Sequence, residues 1–268
     1  MQNIKLTIAY DGTRYAGWQR QTSHDCSPIR RHSKRTIQEE IESVLAKIFH
    51  KKIYLIGSGR TDAGVHAAAQ VANFKAATSM PMARLQKALN ANLPRDIAVT
   101  DVARVPLSFH ARFQAKSKIY RYLIAQSKTK AVLPKGLVWW VKYSLDVALM
   151  QKESCCLVGR HDFSSLQATD RNKRKSTTSI ISLVVKKQKG PAVLPLLKDT
   201  ELLSIDIRAT GFLRNMVRNI VGTLIEIGRG KIPKGELRKI LLKKDRAAAG
   251  PCAPACGLYL LGVNYDVE

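Results

Sequence analysis

The sequence predicts an α+β protein of two units, and three observations lead to this prediction. Strand-like and helix-like periodicities are intermixed in both halves of the 268-residue chain. A hydrophobic content of 45% is enough for folded cores. The same mixture occurs on either side of residues 105–115, so we predict units at residues 1–105 and 106–268. The pattern leaves open whether the strands pair in parallel or antiparallel.

In the first unit, strands are predicted where apolar residues alternate or form short runs between turn residues. These strands cover residues 3–10, 53–58, 70–74 and 97–105. Thr36 and Glu39 form a capping box ahead of a helix whose apolar residues recur at helical spacing. A second helix is predicted over residues 82–89, because an apolar periodicity there stops at Asn90.

The second unit repeats this mixture. Its predicted strands cover residues 116–125, 177–187, 201–209 and 258–265. A helix over residues 145–158 has Ser144 as its expected cap and Gly159 as its expected stop. Two more helices follow, over residues 213–227, which carry a continuous apolar stripe, and over residues 236–243.

The charge of the chain points to a polyanionic partner. Lys and Arg number 45 against 20 acidic residues, a net charge of +25. No stretch approaches the roughly 18–20 continuous apolar residues of a membrane-spanning helix, so nucleic acid is favoured over a membrane. One basic cluster, Arg171, Asn172, Lys173, Arg174 and Lys175, lacks apolar periodicity and is predicted to be an exposed loop. Each of its cations could contact a phosphate; the alternative is a solvated charged face.

A second segment interleaves rings with cations and favours RNA. It consists of Phe109, His110, Ala111, Arg112 and Phe113. Aromatic rings and guanidinium planes stack on unpaired bases, while cations bind phosphates. The alternative is that Phe109 and Phe113 are core residues at helical spacing.

A glycine-rich turn over residues 57–66 places Asp62 just after a predicted strand, with Arg60 two positions earlier. Its spacing matches neither a phosphate-binding loop nor a dinucleotide-binding turn. An acidic side chain among so many cations has either a chemical role or a structural one as a helix cap, and this stretch alone does not decide between them.

The five cysteines do not indicate a disulfide framework. Their number is odd and they form no C-x-x-C pair, so we predict reduced thiols in a cytoplasmic protein. Cys252 and Cys256 lack an obvious second pair of metal ligands, and small buried cysteines are expected instead of a metal site. Residues 1–7 lack the apolar core of a signal peptide.

Eight segments in order resemble the TruA-type tRNA pseudouridine synthases, and together they span almost the whole chain. They are YDGTRYAGWQ (10–19), GRTDAGVH (59–66), LNANLP (89–94), FHARF (109–113), YRY (120–122), GRHDF (159–163), GFLRNMVR (211–218) and GLY (257–259). Residues 22–35 depart from the family pattern, because this stretch is longer and more basic than in compact members.

The resemblance implies an isomerase and its architecture. It implies two α+β units with antiparallel sheets facing a central basic cleft, a homodimer, tRNA as the partner, and no metal or organic cofactor. In the family, uridines at positions 38, 39 and 40 of the anticodon stem-loop are converted to pseudouridine. The N1–C1′ bond breaks, the uracil rotates, and C5 joins C1′.

The resemblance also implies roles for individual residues. Asp62 matches the essential aspartate, acting either as a nucleophile at C1′ or as a base at C2′, and the sequence leaves both routes open. Arg218 matches the arginine that pairs with this carboxylate and keeps it ionised. Tyr120 matches the tyrosine that stacks on the uracil, and Arg60 is a candidate for gripping phosphate or assisting base flipping. Residues 109–113 and 171–175 match the RNA-contacting segments.

Two other functions remain compatible with the sequence. The charge and the aromatic residues alone would equally fit a non-catalytic RNA-binding or RNA-folding protein. A pseudouridine synthase with another RNA target would also retain Asp62, Tyr120 and Arg218.

Overall fold

The computed structural model describes residues 1–20, 35–128, 136–169, 176–188 and 200–266. By its internal contacts the chain divides into unit 1, Met1–Lys116 with Tyr259–Glu268, and unit 2, Ser117–Leu258. The division therefore falls at 116/117, whereas the sequence suggested 105/106, and the end of the chain returns to unit 1.

Two buried asparagines explain why residues after 105 belong to unit 1. The side-chain amide of Asn3 donates to the carbonyls of Pro106 and Phe109, at 3.0 and 2.9 Å. Asn73 donates to Oδ1 of Asn3 and accepts from the backbone N–H of Ala111, both at 2.9 Å. Because both asparagines are 1% exposed, an unpaired amide there would carry the full cost of desolvation. The pair thus fastens the segment to the sheet.

Unit 1 contains one sheet with strand order β4-β1-β3-β10. Its strands are β1 (Gln2–Tyr10), β2 (Ile56–Gly57), β3 (His66–Ala76), β4 (Ile97–Val105) and β10 (Leu258–Asn264). Strand β1 runs antiparallel to β3 and β4, and β2 adds antiparallel to β3, whereas β10 pairs with β3 in parallel. Ile4, Leu6 and Ile8 alternate along β1 and are fully buried, as expected for strand periodicity.

Among its described residues, unit 1 also has two α-helices, α1 (Ile37–Phe49) and α2 (Met82–Asn92). The predicted capping box is confirmed, because Thr36 accepts from the N–H of Glu39 and the Glu39 carboxylate accepts from the N–H of Thr36. Helix α2 extends beyond the predicted residue 89 to Asn92, and it buries Leu85 and Leu89 completely.

The predicted strand at residues 53–58 is only partly formed. Only Ile56–Gly57 pairs with β3. Side chains of α1 take the place of a strand partner at Leu55: its N–H donates to Glu42 Oε1 at 2.9 Å, and its carbonyl accepts from the Gln38 amide at 3.1 Å. Backbone groups satisfied by side chains do not form a ladder.

Unit 2 has an antiparallel sheet of order β5-β9-β8-β7, with β6 added parallel to β5. The strands are β5 (Ser117–Gln126), β6 (Trp139–Val141), β7 (Gly159–Asp162), β8 (Thr177–Gln188) and β9 (Glu201–Ala209). Strands β6 and β7 were not predicted, because three or four residues are too few to show a periodicity. The α+β class is confirmed, and strand pairing is mostly antiparallel in each unit, with β10 on β3 and β6 on β5 as the parallel pairs.

The helices of unit 2 are α3 (Val147–Ser154), α4 (Met216–Gly228) and α5 (Glu236–Lys243). The prediction of Ser144 as the cap of α3 is wrong. Asp146 caps it, through a 2.8 Å hydrogen bond from the N–H of Leu149 to its carboxylate. Helix α3 also ends earlier than predicted, at Ser154, and a 3-10 turn, Cys155–Leu157, follows it.

The expectation of small buried cysteines is wrong for Cys252 and Cys256, which are only half-buried. Cys155 is exposed, whereas Cys156, Cys252 and Cys256 are half-buried. Within the described ranges, no cluster of three or more His, Cys, Asp or Glu could hold a metal ion, and no helix is long and apolar enough to cross a membrane.

Helix α4 lies very close to the chain at residues 251–253. A Cβ at Gly222 would sit 1.7 Å from the carbonyl oxygen of Pro251. One turn earlier, the Arg218 carbonyl accepts from the N–H of Ala253, and the Arg218 Nε donates to the Ala253 carbonyl at 2.7 Å. Glycine is therefore required for the contact that holds the Arg218 side chain.

We expect Gly222→Ala to lower the free energy of unfolding by about 1–3 kcal/mol, because the added methyl meets backbone that cannot turn away. Urea unfolding followed by circular dichroism measures this. Gly211→Ala is the matched control, since a Cβ there would lie 3.6 Å from Thr178 Oγ1, an ordinary contact. Equal unfolding midpoints for the two variants would contradict the close approach.

Candidate active site

The Asp62 loop, residues 58–65, connects β2 to β3 in unit 1. The N–H of Val65 donates to the Asp62 carbonyl at 3.2 Å, which closes a turn, and Gly64 has a φ of +78° that favours glycine. Asp62 is half-buried, between buried Thr61 and exposed Ala63. The carboxylate therefore lies at the apex of a tight turn with access to solvent.

A buried glutamine holds the start of this loop. The amide oxygen of Gln70, on β3, accepts from the Ser58 hydroxyl at 2.6 Å and from the N–H of Val71 at 3.1 Å. Its amide nitrogen donates to the Gly59 carbonyl at 3.0 Å. Gln70 and Ser58 are fully buried, so these bonds are made without competition from water.

Residues 10–19 hold the other side of the loop. The Tyr10 hydroxyl and Thr61 Oγ1 share a 2.8 Å hydrogen bond, and burial raises the pKa of this tyrosine. The N–H of Trp18 donates to the Thr61 carbonyl at 3.1 Å. Gly17, at φ +96°, passes so close that a Cβ would lie 2.6 Å from the same carbonyl. Two of the sequence segments noted above thus form one packed structure.

The end of the loop is fixed by a buried histidine. His66 is 1% exposed and stacks on Tyr259, with ring centroids 4.7 Å apart. Its Nδ1 lies 3.2 Å from the N–H of Gly12 and 3.1 Å from Asp11 Oδ1. Partial burial acts to raise the pKa of Asp11, but hydrogen bonds from Thr13 and the nearby His66 outweigh it, so the pKa is lowered.

Arg60 extends from the loop into solvent. It is exposed, and its Nε donates to the side-chain oxygen of Gln19 at 3.1 Å. This bond orients the guanidinium beside the Asp62 loop, where it can meet an incoming anion.

The other two predicted active-site residues belong to unit 2. Tyr120 lies on β5, is 7% exposed, and packs edge-on against Phe212 with centroids 4.9 Å apart. Arg218 is in the first turn of α4, half-buried, and its bond to the Ala253 carbonyl fixes the plane of its guanidinium. Both side chains are thus held in defined orientations within their own unit.

The segment at residues 109–113 divides into anchors and exposed groups. Phe109 packs on Tyr265 with centroids 5.0 Å apart, and the buried Ala111 accepts from the Tyr265 hydroxyl at 2.8 Å. Arg112 is exposed and Phe113 is 77% exposed. Phe109 is thus half-buried against Tyr265 and is not a core residue, and the exposed Phe113 is available to a ligand.

His110 supports the exposed ring of this segment. It stacks on Phe113 with centroids 4.2 Å apart, and its Nδ1 accepts from the N–H groups of Arg112 and Phe113, each at 3.2 Å. The ring pair is thus locked to the backbone. The other predicted RNA-contacting residues, 171–175, lie outside the described residues.

Sequence reasoning missed the groups beneath the loop. Gln70, Tyr10 and Thr61 were not singled out, although the two amide side chains in the otherwise apolar strand of residues 70–74, Gln70 and Asn73, are a signal that could have identified Gln70. No sequence pattern indicates which partner such a buried amide takes.

Comparison with known proteins shows matches along nearly the whole chain. The family described as tRNA pseudouridine synthase matches residues 6–114 and 156–266. The protein "tRNA pseudouridine synthase A" of Thermoanaerobacter sp. (strain X514) is 39% identical over 265 residues, covering 99% of this chain and 100% of its own length. The proteins of the same name from Citrifermentans bemidjiense and Caldicellulosiruptor bescii are 40% and 38% identical, each over 99% of this chain and over 98% and 100% of their own lengths.

Among solved structures, the similarity is weaker. A chain from "Crystal Structure of a Cbf5-Nop10-Gar1 Complex" aligns at 12% identity over 82% of this chain and 54% of its own length. The TM-score of 0.30 is too low to compare the folds.

We expect Gln70→Leu to destabilise the protein by about 1–3 kcal/mol, because the Ser58 hydroxyl and the Gly59 carbonyl lose the hydrogen bonds that the buried Gln70 amide makes with them. Urea unfolding measures the loss. Gln86→Leu is the control: its amide donates to the carbonyls of Val99 and Thr100 at a partly exposed site, where water can replace it. An equal loss of unfolding free energy in both variants would show that burial does not increase the contribution of the Gln70 hydrogen bonds to stability.

Proposed function

We propose that Asp62 performs the chemistry of this chain, which belongs to the tRNA pseudouridine synthase family. The proposed targets are uridines 38, 39 and 40 of the anticodon stem-loop. The enzyme is an isomerase that converts uridine in tRNA to pseudouridine. The observation that carries the assignment of Asp62 is the construction of its loop, in which buried contacts fix both flanks of a solvent-accessible carboxylate.

The proposed role of Asp62 follows from the bonds that change. The N1–C1′ bond of the target breaks, the uracil turns, a C5–C1′ bond forms, and the hydrogen on C5 leaves as a proton. The ionised carboxylate either attacks C1′ or removes a proton from C2′. In both routes a fixed carboxylate avoids the entropic cost of positioning it for each turnover, and the tight turn supplies that fixation.

Tyr120 and Arg218 are proposed to assist from unit 2. A ring stacked on the uracil would keep the detached base from escaping, and the edge contact with Phe212 holds the ring of Tyr120 in place. Arg218 is proposed to pair with the Asp62 carboxylate and keep it ionised. Its bond to the Ala253 carbonyl supports this role, because it presets the orientation of the guanidinium.

Substrate binding is proposed to use cations and one exposed ring. Arg60 is proposed to bind a phosphate near the target uridine or to assist the flipping of that uridine out of the stack. The stacked pair of His110 and Phe113, with Arg112 beside it, presents a ring and a cation to an unpaired base. Residues 171–175 add five consecutive polar or basic residues for phosphates.

The proposal includes a homodimer in the cytoplasm, so that one tRNA contacts both subunits. The family resemblance supports the dimer, and the odd number of cysteines without C-x-x-C spacing supports a reducing compartment. A net charge of +25 supports a large polyanionic substrate.

Asp62→Ala is expected to reduce turnover by at least about 10²–10⁴-fold, the usual contribution of a positioned acid or base. The assay uses an anticodon-arm tRNA with tritium at uridine C5, since formation of the C5–C1′ bond releases that hydrogen to water. The affinity for tRNA should stay nearly unchanged.

Asp101→Ala, which alters an exposed carboxylate on β4 of the same unit, serves as the control and should retain full activity. Full tritium release by Asp62→Ala would refute its assignment. No release by the wild type, with tRNA still bound, would favour a non-catalytic RNA-binding protein, and a total-tRNA pool would test for a different RNA target.

Phe113→Ala is expected to weaken tRNA binding about 5- to 150-fold, because stacking of a base on an aromatic ring contributes about 1–3 kcal/mol. Filter binding at fixed salt measures the dissociation constant. Leu107→Ala, at a 57% exposed position nearby, should bind like the wild type. Equal affinities for all three proteins would exclude Phe113 from the interface.

A further inference from the structure

Tyr54 presents an aromatic ring on the surface of unit 1 for a structural reason. Its side chain is 56% exposed, whereas its neighbours Ile53 and Leu55 are 4% and 5% exposed. Because side chains alternate in extended chain, burial of both neighbours against the core turns Tyr54 outward. The two hydrogen bonds that α1 makes to the backbone of Leu55 hold this arrangement. The exposure of Tyr54 therefore follows from the hydrogen-bonded backbone of Leu55 and the burial of both neighbouring side chains.

Two cations flank this ring. The Arg20 guanidinium carbon lies 5.6 Å from the ring centroid and the Lys52 Nζ 5.3 Å from it. Both distances are within the range of a cation–π attraction. Lys51, next in the chain, is also exposed. Together, Arg20, Lys52 and Tyr54 make a small basic and aromatic surface, which we call the Tyr54 platform.

The two cations differ in how far they are neutralised. Arg20 lies 3.7 Å from Glu42 Oε2, and the other oxygen of Glu42 accepts from Leu55 and Gln38. Glu42 thus offsets much of the charge of Arg20, whose guanidinium plane remains suited to stacking. Among the described residues, no carboxylate lies within ion-pair distance of Lys52. Lys52 is therefore the cation of the platform whose charge is best available to bind a phosphate.

The Tyr54 platform is connected to the Asp62 loop along the chain. Arg20 directly follows Gln19, which holds the guanidinium of Arg60. From Tyr54 the chain runs through β2, where Gly57 packs so tightly on the Trp18 indole that a Cβ would lie 2.4 Å from its Nε1. RNA held on the platform would thus be bound by the same unit that carries the Asp62 loop.

We propose that the Tyr54 platform is a second RNA-binding surface, which stacks an unpaired base of the tRNA on Tyr54 and Arg20 and binds a phosphate with Lys52. The proposal rests on the proposed function, since it takes tRNA as the ligand. An exposed ring flanked by cations is how proteins hold unpaired nucleotides without reading their sequence. The competing explanation is an intramolecular cation–π contact that serves stability alone.

The decisive variant is Tyr54→Leu, which keeps apolar bulk but removes the π-face, compared with Tyr54→Phe, which keeps it. We expect Tyr54→Leu to raise the dissociation constant for anticodon-arm tRNA about 5- to 150-fold, the range for loss of one stacked base. Tyr54→Phe should bind within about twofold of the wild type, well inside that range. At saturating tRNA, kcat should be unchanged in both, because the catalytic groups are untouched.

Lys52→Gln tests the phosphate contact separately. It should lower the slope of log affinity against log salt by up to about one unit, as expected for one lost phosphate contact. Tyr143→Leu is the matched control: its ring is 39% exposed with Arg229 4.5 Å away, but Arg229 is largely buried and pairs with Glu226 at 3.3 Å. This variant should bind tRNA like the wild type.

The outcomes separate this proposal from the proposed function. Tritium release by the wild type tests the function independently. If the wild type is active and Tyr54→Leu binds tRNA with unchanged affinity, the proposal that the Tyr54 platform binds RNA is wrong, and the proposed function is unaffected. A lower melting temperature for Tyr54→Leu with unchanged affinity would establish the purely stabilising contact. A lower kcat with unchanged affinity would also overturn the proposal.

Discussion

The hydrogen bonds beneath the Asp62 loop are the constraint on which the rest of the site depends. A turn that presents a carboxylate must leave several backbone groups without partners in regular structure. Here Gln70 satisfies one flank and the backbone of residues 10–19 satisfies the other. Because these partners are buried, any shift of the loop would break bonds that water cannot replace. The position of Asp62 is thus set by β1 and β3.

The same constraint explains why this region depends on glycine. Gly12, Gly17 and Gly57 all lie where a Cβ would be within 2.6 Å of neighbouring atoms. At Gly12 and Gly17 the obstacle is the backbone of the Asp62 loop itself, and at Gly57 it is the Trp18 indole. The loop is therefore held by direct contact between backbones as well as by hydrogen bonds, and neither element could form this structure alone.

The sequence predicted the elements well where periodicity was long and locally capped. Helix α1 begins at its expected capping box, and the long strands β1, β4, β5, β8 and β9 lie within one or two residues of their expected bounds. The prediction from sequence failed where backbone groups hydrogen-bond to side chains and not to a neighbouring strand, or where a different side chain caps the helix. The stretch before β2 has the sequence pattern of a strand, but the backbone of Leu55 hydrogen-bonds to the side chains of Gln38 and Glu42. Helix α3 is capped by Asp146, whose carboxylate accepts from the N–H of Leu149.

For the site, the sequence identified the groups at the surface better than those that support them. Asp62 and Arg60 stood out because a glycine-rich turn with charged residues is unusual. The support of Asp62 is a set of buried neutral groups, whose partners are distant in sequence and follow no period: Tyr10 and Thr61 are 51 residues apart. Likewise, Tyr54 is an unremarkable tyrosine in a short apolar run, and only the anchoring of Leu55 shows that it must point outward.

The neutrality of that support has an electrostatic consequence for the carboxylate. Tyr10, Thr61, Ser58 and Gln70 carry no charge, and burial keeps the Tyr10 hydroxyl protonated by raising its pKa. These four groups fix the loop through dipoles and so avoid the large desolvation cost of a buried ion, whereas the carboxylate of Asp11, near the end of the loop, is exposed. In the proposed function, the positive charge that acts on the carboxylate comes from Arg218, whose guanidinium is oriented by the Ala253 carbonyl, and from the exposed Arg60. The neutral hydrogen bonds therefore hold the Asp62 loop in place, and the groups proposed to act on the carboxylate are different ones.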